Sequence, residues 1–264
     1  MSEPVDVDYS IITELDLSCK QLDVLPDLSM YINLKILYCN NNQLTTLDNL
    51  PHNLAHLDCN DNKLTSLDNL PFGLKELYCY KNEIASLDNL PFKLKELYCY
   101  KNEIASLDNL PFSLEILHCS CNNLTTLDNL PQGLKILHCS FNQIKSLDNL
   151  PVNLEKLYCG NNKLISLDNL PLNLEILSCY NNQITLLDNL PLNLKILNCG
   201  YNQITSLDNL PHEILELYCY DNQLKSLDNL PSSLLELSCD CNPLIYDFNP
   251  TLKNIKNYNS SRIA

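Results

Sequence analysis

Apolar residues return along this chain at a fixed interval of 20 residues. The repeated slots of the first regular coil are Leu34, Leu37, Cys39, Asn42, Leu44, Leu47, Leu50 and Pro51. Eleven coils keep this frame as far as Asn242. A looser coil precedes them, with Lys20 in the Asn slot and with Ile12, Leu15, Leu17, Leu22 and Leu25 in the apolar slots. Such a repeat predicts a solenoid of stacked coils, and the atypical first coil is expected to cap it.

Each coil is predicted to contribute one short strand. The inward Leu37 and Cys39 flank the outward Tyr38, which is the period of a half-buried strand. Successive strands run in the same direction, so the chain must return between them in about a dozen residues. Pro51 lacks an amide donor, and the Asp48-Asn49 pair before it favours turns. The returns are therefore expected to be extended, polyproline-like or 3₁₀ rather than α-helical.

Counted from Leu34, the spacing of apolar slots and the Asn at the ninth slot resemble the leucine-rich-repeat pattern, with Cys replacing Leu at the sixth slot. The resemblance covers roughly residues 12–245 and is strongest to the short repeats of bacterial effector proteins and of leucine-rich proteins from giant viruses of amoebae. It implies a horseshoe with a concave parallel sheet on which a protein partner binds. Catalytic effectors of this kind use a separate ligase domain after the repeats, and only about twenty residues follow Leu244, so that activity is not expected.

Charge and hydropathy narrow the expected partners. The formal net charge is -15, whereas nucleic acids and anionic membranes attract clustered Lys and Arg, so neither is expected to bind. The start, MSEPVDVDYS, lacks the features of a secretory signal, and no apolar run is long enough to span a bilayer. We therefore expect a cytoplasmic monomer, which would act in the host cytoplasm if the protein is viral or a translocated effector.

Cysteine occupies one inward slot in all eleven regular coils, from Cys39 to Cys239. Side chains on parallel strands point the same way, which separates their Cβ atoms by more than a disulfide prefers, and a straight column supplies no tetrahedral ligand set. These thiols are therefore predicted to fill the core as small hydrophobic residues. Cys19, Cys121 and Cys241 lie two slots later, near the exposed end of the strand. No metal or other cofactor is predicted.

Two polar ladders follow the same period. Asn ends each strand from Asn42 to Asn242, where its amide is predicted to satisfy backbone groups of its own and the adjacent coil. Ten Asp residues, from Asp48 to Asp228, form an acidic ridge on the return side. Their mutual repulsion is expected to be compensated by backbone amides of the turn, with a calcium ridge as the alternative.

The outward strand slots concentrate aromatic residues. Nine of the 14 Tyr fall in two columns of this face. The predicted partner-binding residues are Tyr38, Tyr78, Tyr80, Tyr98, Tyr100, His118, His138, Phe141, Tyr158, Tyr180, Tyr201, Tyr218 and Tyr220. Tyrosine suits recognition because it offers a large, stiff, amphipathic surface. The alternative is that stacked aromatic residues only stabilise the sheet.

His118 and His138 invite a catalytic interpretation, since Ser120, Ser140 and Cys121 lie nearby in the repeat. Catalysis also needs an orienting group, an oxyanion donor and a cavity that excludes water, and an open sheet offers none of these. A pH-sensitive contact is the favoured use of the two imidazoles. The protein is therefore predicted not to be an enzyme.

These observations predict a single repeat domain with three segments: a capping segment at 1–33, eleven regular repeats at 34–244, and a C-terminal cap or polar tail at 245–264. The predicted function is a non-catalytic scaffold that binds a protein on the Tyr- and His-rich sheet face. One alternative is a substrate-recognition adaptor for a ubiquitin ligase or other enzyme on a separate chain. A second alternative is a structural or virion-associated protein.

Overall fold

The computed structural model describes residues 8–263, which form one 3₁₀ turn (Tyr9–Ile11), twelve short strands and one α-helix. The strands are β1 (Glu14–Asp16), β2 (Ile36–Tyr38), β3 (His56–Asp58), β4 (Glu76–Tyr78), β5 (Glu96–Tyr98), β6 (Ile116–His118), β7 (Ile136–His138), β8 (Lys156–Tyr158), β9 (Ile176–Ser178), β10 (Ile196–Asn198), β11 (Glu216–Tyr218) and β12 (Glu236–Ser238). The helix α1 spans Leu252–Ile263. Residues 1–7, on which the expectation about a secretory signal mainly rests, lie outside the described part.

The chain divides into two compact units, residues 1–122 and 123–264. In the N-terminal unit, β1 to β6 pair in chain order, and every pair is parallel. In the C-terminal unit, β7 to β12 do the same. From β2 onwards the paired residues differ by 20 in number, but Leu15 pairs with Leu37 across the looser first coil. The division into a cap, repeats and a tail stays a prediction.

Leucine and cysteine seal the inside of each coil. Leu37, in the middle of β2, is fully buried, while Ile36 and Tyr38 on either side are half-buried. Cys39 and Leu44 are likewise fully buried. The same pattern recurs in β3 to β11, which confirms the predicted inward slots, whereas the middle residues of the terminal strands β1 and β12 are only half-buried. Each coil contributes a layer of four or more apolar side chains that is completed only by its neighbours.

The returns contain no helix in residues 39–235, as their Pro and Asp-Asn residues predict. Within the described part of the chain, α1 is too short and too polar to span a membrane, and no other helix could do so.

The Asn ladder forms as predicted, and Asn82 illustrates its geometry. Its Nδ2 donates to the carbonyl oxygen of Cys79 in its own coil and of Cys59 in the preceding coil, both at 3.1 Å. Its Oδ1 accepts from the backbone nitrogen of Leu64 at 2.9 Å. One buried amide thus satisfies backbone groups that no strand pairing reaches.

In most coils two positions adopt the left-handed backbone conformation. In most return turns one of them is an Asn, from Asn49 to Asn189, with φ between 59 and 66°. Asn tolerates this conformation better than other residues with a Cβ, which explains its recurrence there. The second position follows the strand, and its occupants are Asn41, Asp61, Lys81, Lys101, Cys121, Phe141, Asn161, Asn181, Tyr201, Asp221 and Cys241. Phe141 and Tyr201 adopt it without the advantage of a short polar side chain.

The Asp ridge has partners other than the expected backbone amides. Asn89 Nδ2 donates to Asp68 Oδ1 at 3.2 Å, and Asn109 Nδ2 donates to Asp88 Oδ1 at 3.1 Å. Hydroxyl groups two residues earlier donate as well, as Thr46 does to Asp48 at 2.8 Å. The Asp of one coil is therefore held by the Asn of the next, and these neutral donors stabilise the carboxylates without removing their charge.

The C-terminal segment folds as a helix, which its polar composition did not predict. Ile255 of α1 is fully buried, and Lys256 Nζ donates to the carbonyl oxygen of Leu234 at 2.8 Å. Asn259 Nδ2 donates to the carbonyl oxygen of Leu227 at 2.9 Å. The helix α1 therefore covers the open end of the last coil.

Candidate protein-binding face

In each unit the aromatic face is the outward side of the strands, and the thirteen predicted residues and His56 lie on it. Strand alternation positions it, because each buried middle residue places its two neighbours outward. Register then aligns coils, so that Tyr78 lies opposite Tyr98, and Tyr98 lies opposite His118. All the predicted residues are half-buried except Phe141 and Tyr201, which are 52% and 53% exposed.

In the N-terminal unit the rings form two neighbouring stacks. Tyr78 and Tyr98 are parallel, with centroids 4.4 Å apart, and Tyr80 and Tyr100 are parallel at 4.3 Å. His118 stacks on Tyr100 at 4.5 Å. Such pairs stabilise a sheet by about 0.5–1.5 kcal/mol each. The stacked rings therefore do stabilise the sheet, as the alternative interpretation predicts. Partner recognition would use other parts of the same side chains, namely the ring edges and the hydroxyl groups.

His56 is a member of this face that the sequence analysis missed. Its ring lies 5.5 Å from that of Tyr38 and 5.1 Å from that of Tyr78, bridging the coil whose own column holds Asp58. Its Nδ1 also contacts Glu76 Oε2 at 2.9 Å. The strand period of two could have predicted His56, because it places this residue outward in a coil that has Asp58 instead of Tyr.

In the C-terminal unit the aromatic residues are more dispersed. His138 stacks on Tyr158 at 4.1 Å, but Ser178 and Asn198 occupy the next two positions of that column. Tyr201 and Tyr220 meet edge to face at 5.3 Å. The structure therefore does not join all the predicted residues into one surface, since Tyr158 and Tyr218 are separated by two polar residues.

Two glycines leave space for tyrosine rings in this unit. A Cβ at Gly160 would lie 2.3 Å from Tyr180 Cε1, and one at Gly200 would lie 2.6 Å from Tyr220 Cε2. Both rings thus lie against bare backbone of the preceding coil. Two of the chain's four glycines serve this close approach.

Carboxylates orient several phenol groups of the face. Tyr98 Oη donates to Glu96 Oε2 at 3.1 Å, and Tyr218 Oη donates to Glu236 Oε1 at 2.9 Å. Burial, together with the neighbouring Tyr80, raises the pKa of Tyr100 to about 12. These tyrosines are therefore neutral at physiological pH and present polar hydroxyl groups rather than phenolates.

Mixed charge borders the stacks of the N-terminal unit. Lys81 Nζ lies 2.9 Å from Asp61 Oδ2, and Lys95 Nζ lies 3.0 Å from Glu115 Oε1. These pairs are largely exposed and contribute little to stability. They give the face a polar rim, as protein interfaces commonly have.

The imidazoles act as packed rings. Burial, and secondarily Lys156, lowers the pKa of His138, so this imidazole is neutral at neutral pH. Among residues 8–263, no group of three or more His, Cys, Asp or Glu side chains is arranged to hold a metal ion. The inward thiols are fully or almost fully buried, and Cys19 and Cys241 are exposed.

Comparison with known proteins identifies the architecture. No family model matches the sequence, and no curated protein matches it significantly. Among solved structures, the functional domain of InlJ from Listeria monocytogenes, described as including a cysteine ladder, is 30% identical with a TM-score of 0.78, and the match covers 91% of this chain and 56% of that one. This chain has the leucine-rich-repeat fold. YopM from Yersinia enterocolitica WA-314 is 31% identical with a TM-score of 0.68, over 86% of this chain and 63% of that one.

A leucine-rich effector protein, YopM from Yersinia pestis, is 27% identical with a TM-score of 0.54, and the match covers 90% of this chain and 86% of that one. The resemblance to bacterial effector repeats is therefore confirmed. The chain spans less than two thirds of the InlJ domain and of the first YopM. Leucine-rich-repeat folds generally serve as scaffolds for protein-protein interaction, and these neighbours share that architecture.

Proposed function

We propose that this chain is a non-catalytic scaffold that binds a protein partner on its aromatic face. One observation carries the proposal: paired tyrosine stacks stand half exposed on strands whose opposite side is a sealed core. Tyr combines a large contact area with a hydrogen-bonding group and loses little entropy on binding. The description of a matched Yersinia pestis protein as an effector supports a host protein as the partner.

The fold itself does not require tyrosine in these slots. The column of Tyr78 and Tyr98 holds Ser178, Asn198 and Ser238 in other coils. The column of Tyr80 and Tyr100 holds Ser120 and Ser140 elsewhere. Aromatic residues are therefore concentrated where a small polar residue also satisfies the strand, which is expected of a surface used for contact.

The test changes Tyr78, Tyr98 and Tyr100 to Ser and compares capture of partners from host lysate with that by the wild type. Ile165→Ser, which removes an exposed apolar side chain from the return side, is the matched control. We expect the triple variant to retain its circular dichroism spectrum and to lose a partner that the wild type and the control both retain. Equal capture by all three proteins would place the binding site elsewhere.

As part of the same proposal, the protein acts in a cytoplasm, that of the host if it is viral or translocated. Its column of buried thiols, from Cys39 to Cys239, supports this, because reduced thiols are the ordinary state in that compartment. Fractionation of cells that contain the tagged protein tests the assignment, and recovery with membranes or in the medium contradicts it.

A further inference from the structure

Large apolar side chains stand exposed at one slot of the return side. In the N-terminal unit Phe72, Phe92 and Phe112 are 78%, 65% and 95% exposed, and Ile32 of the first coil is 58% exposed. We call these four residues the apolar ridge. Three phenylalanines exposed to this degree on consecutive coils are unusual in a soluble protein, and contiguous apolar patches commonly mark interaction sites.

Turn geometry points these residues outward. The backbone nitrogen of Leu74 donates to the carbonyl oxygen of Pro71 at 3.1 Å, which leaves Phe72 at the apex of the turn. The corresponding bonds above Phe92 and Phe112 measure 3.0 and 3.1 Å. Other coils carry His52, Gln132, His212 and Ser232 at this slot. The fold therefore accepts polar residues there and does not need phenylalanine.

The Asp residues of the returns, from Asp48 to Asp228, form a ladder beside the apolar ridge. Asp48, Leu70 and Phe72 line the same shallow groove, together with His52. Asp48 and Asp68 accept hydrogen bonds from neutral amides and hydroxyl groups, which leave the negative charge in place. Hydrogen bonds from Ser86 and Asn109 lower the pKa of Asp88, so it too stays ionised.

We propose that the apolar ridge and the adjacent Asp ladder bind an extended segment of a second protein, whose apolar side chains are flanked by Lys or Arg. The phenyl rings would contact the apolar side chains and the faces of guanidinium groups. The carboxylates would pair with the flanking cations. This surface is separate from the aromatic face, because it lies on the returns rather than on the strands.

Charge favours this occupant over two others. An anionic membrane surface repels the Asp ladder. A second copy of the chain would bring one acidic ladder close to another, at a net charge of -15 for each copy. A basic, apolar segment is the partner that complements both features of the groove.

The experiment measures fluorescence anisotropy of a labelled peptide of alternating Leu and Lys, titrated with the full chain. Val152, Leu172 and Leu192 are changed to Gln in every sample, because they are exposed at the same slot of the C-terminal unit and would bind the same probe. The test variant adds Phe72→Gln, Phe92→Gln and Phe112→Gln. Gln132 shows that this slot accepts Gln.

We expect the Gln variant to bind the peptide at least about tenfold more weakly, as the loss of central apolar anchors implies. Asp68→Asn with Asp88→Asn should also weaken binding and reduce its dependence on salt. A peptide of alternating Leu and Glu should not bind. Phe112→Gln alone, at the most exposed position, repeats the test should the triple variant lose its fold.

Unchanged affinity in the Gln variants would overturn the proposal. Two further outcomes would replace it. Binding to phosphatidylcholine vesicles that the Phe substitutions abolish would make the ridge a membrane-contacting surface. A dimer in sedimentation experiments that the same substitutions dissociate would make it an interface between copies.

Discussion

At the residue scale, a single buried amide connects neighbouring coils. Asn82 is 8% exposed and bonds to the carbonyl groups of Cys59 and Cys79 and to the backbone nitrogen of Leu64. Serine could not reach all of these groups, and aspartate could not donate to the carbonyls. The slot therefore requires both ends of an amide.

We predict that Asn82→Ala lowers the free energy of unfolding by about 1–3 kcal/mol, because it leaves buried backbone groups without partners. Urea denaturation followed by circular dichroism measures the change. Glu83→Ala, at the adjacent exposed position, is the control and should change stability by less than about 0.5 kcal/mol. Equal effects of the two substitutions would mean that water satisfies the backbone groups.

At the element scale, each strand directs one thiol into the core. Burial raises the pKa of Cys39, Cys119 and Cys159 to about 12 and raises that of Cys79 further. A thiol reacts as the thiolate, so these groups are protected both by packing and by remaining protonated. Cys therefore acts as a small buried apolar residue at the slot where the leucine-rich-repeat pattern has Leu.

We predict that an alkylating reagent at mildly alkaline pH modifies Cys19, Cys121 and Cys241 in the folded protein and leaves the ladder thiols unmodified. After unfolding, all 14 cysteines should react, because their pKa returns to about 8.5. Mass spectrometry of peptides measures each site, and Cys121→Ser should remove one fast site only. A ladder thiol that reacts as fast as Cys241 would contradict the predicted burial.

At the scale of the whole molecule, a repeat array needs a cap where its stacking ends. The helix α1 provides one for the C-terminal unit through the buried Ile255 and through hydrogen bonds from Lys256 and Asn259. The ring of Tyr258, within α1, packs with those of Tyr246 and Phe248, with centroids 4.9 to 5.4 Å apart. Stability at this end should therefore depend on α1.

We predict that Ile255→Ala costs about 2–5 kcal/mol locally and opens the last coil first. Hydrogen exchange should show lost protection in β12 before other strands of the C-terminal unit. Lys253→Ala on the exposed side of α1 is the matched control and should leave exchange unchanged. Uniform loss of protection across β7 to β12 would indicate that the cap supports the whole unit cooperatively.

The N-terminal unit presents two surfaces, the stacked tyrosines on its strands and the apolar ridge on its returns. A protein that recognises one partner and is held by another needs such an arrangement. The adaptor alternative would gain support if variants of Tyr100 and of Phe92 lost different partners. If both variants lost the same partner, a simple scaffold would suffice.

Sequence alone could predict the coils, since a strict period of 20 residues leaves few ways to bury Leu37, Cys39 and Leu44 together. It also predicted the role of Asn82, because the end of a parallel strand always leaves backbone groups to satisfy. It missed His56: the period of two places this residue outward, but its ring contacts with Tyr38 and Tyr78 are evident only once strand register and side-chain direction are known. It predicted backbone amides as the partners of the Asp ridge, whereas the structure shows Asn side chains. Each of these Asn residues is adjacent to its Asp in space but 21 residues away along the sequence.

The sequence by itself determined the periodic part of this protein, namely strands, buried slots and polar ladders, because identical coils repeat one local solution. Only the tertiary structure decided the features that break the period. The helix α1 folds because its apolar residues cover the exposed end of the last coil. The rings of Tyr180 and Tyr220 fit only because the preceding coil has glycine beneath each of them. The exposure of Phe112 follows from its place at the apex of a turn, since its hydrophobicity alone would place it inside.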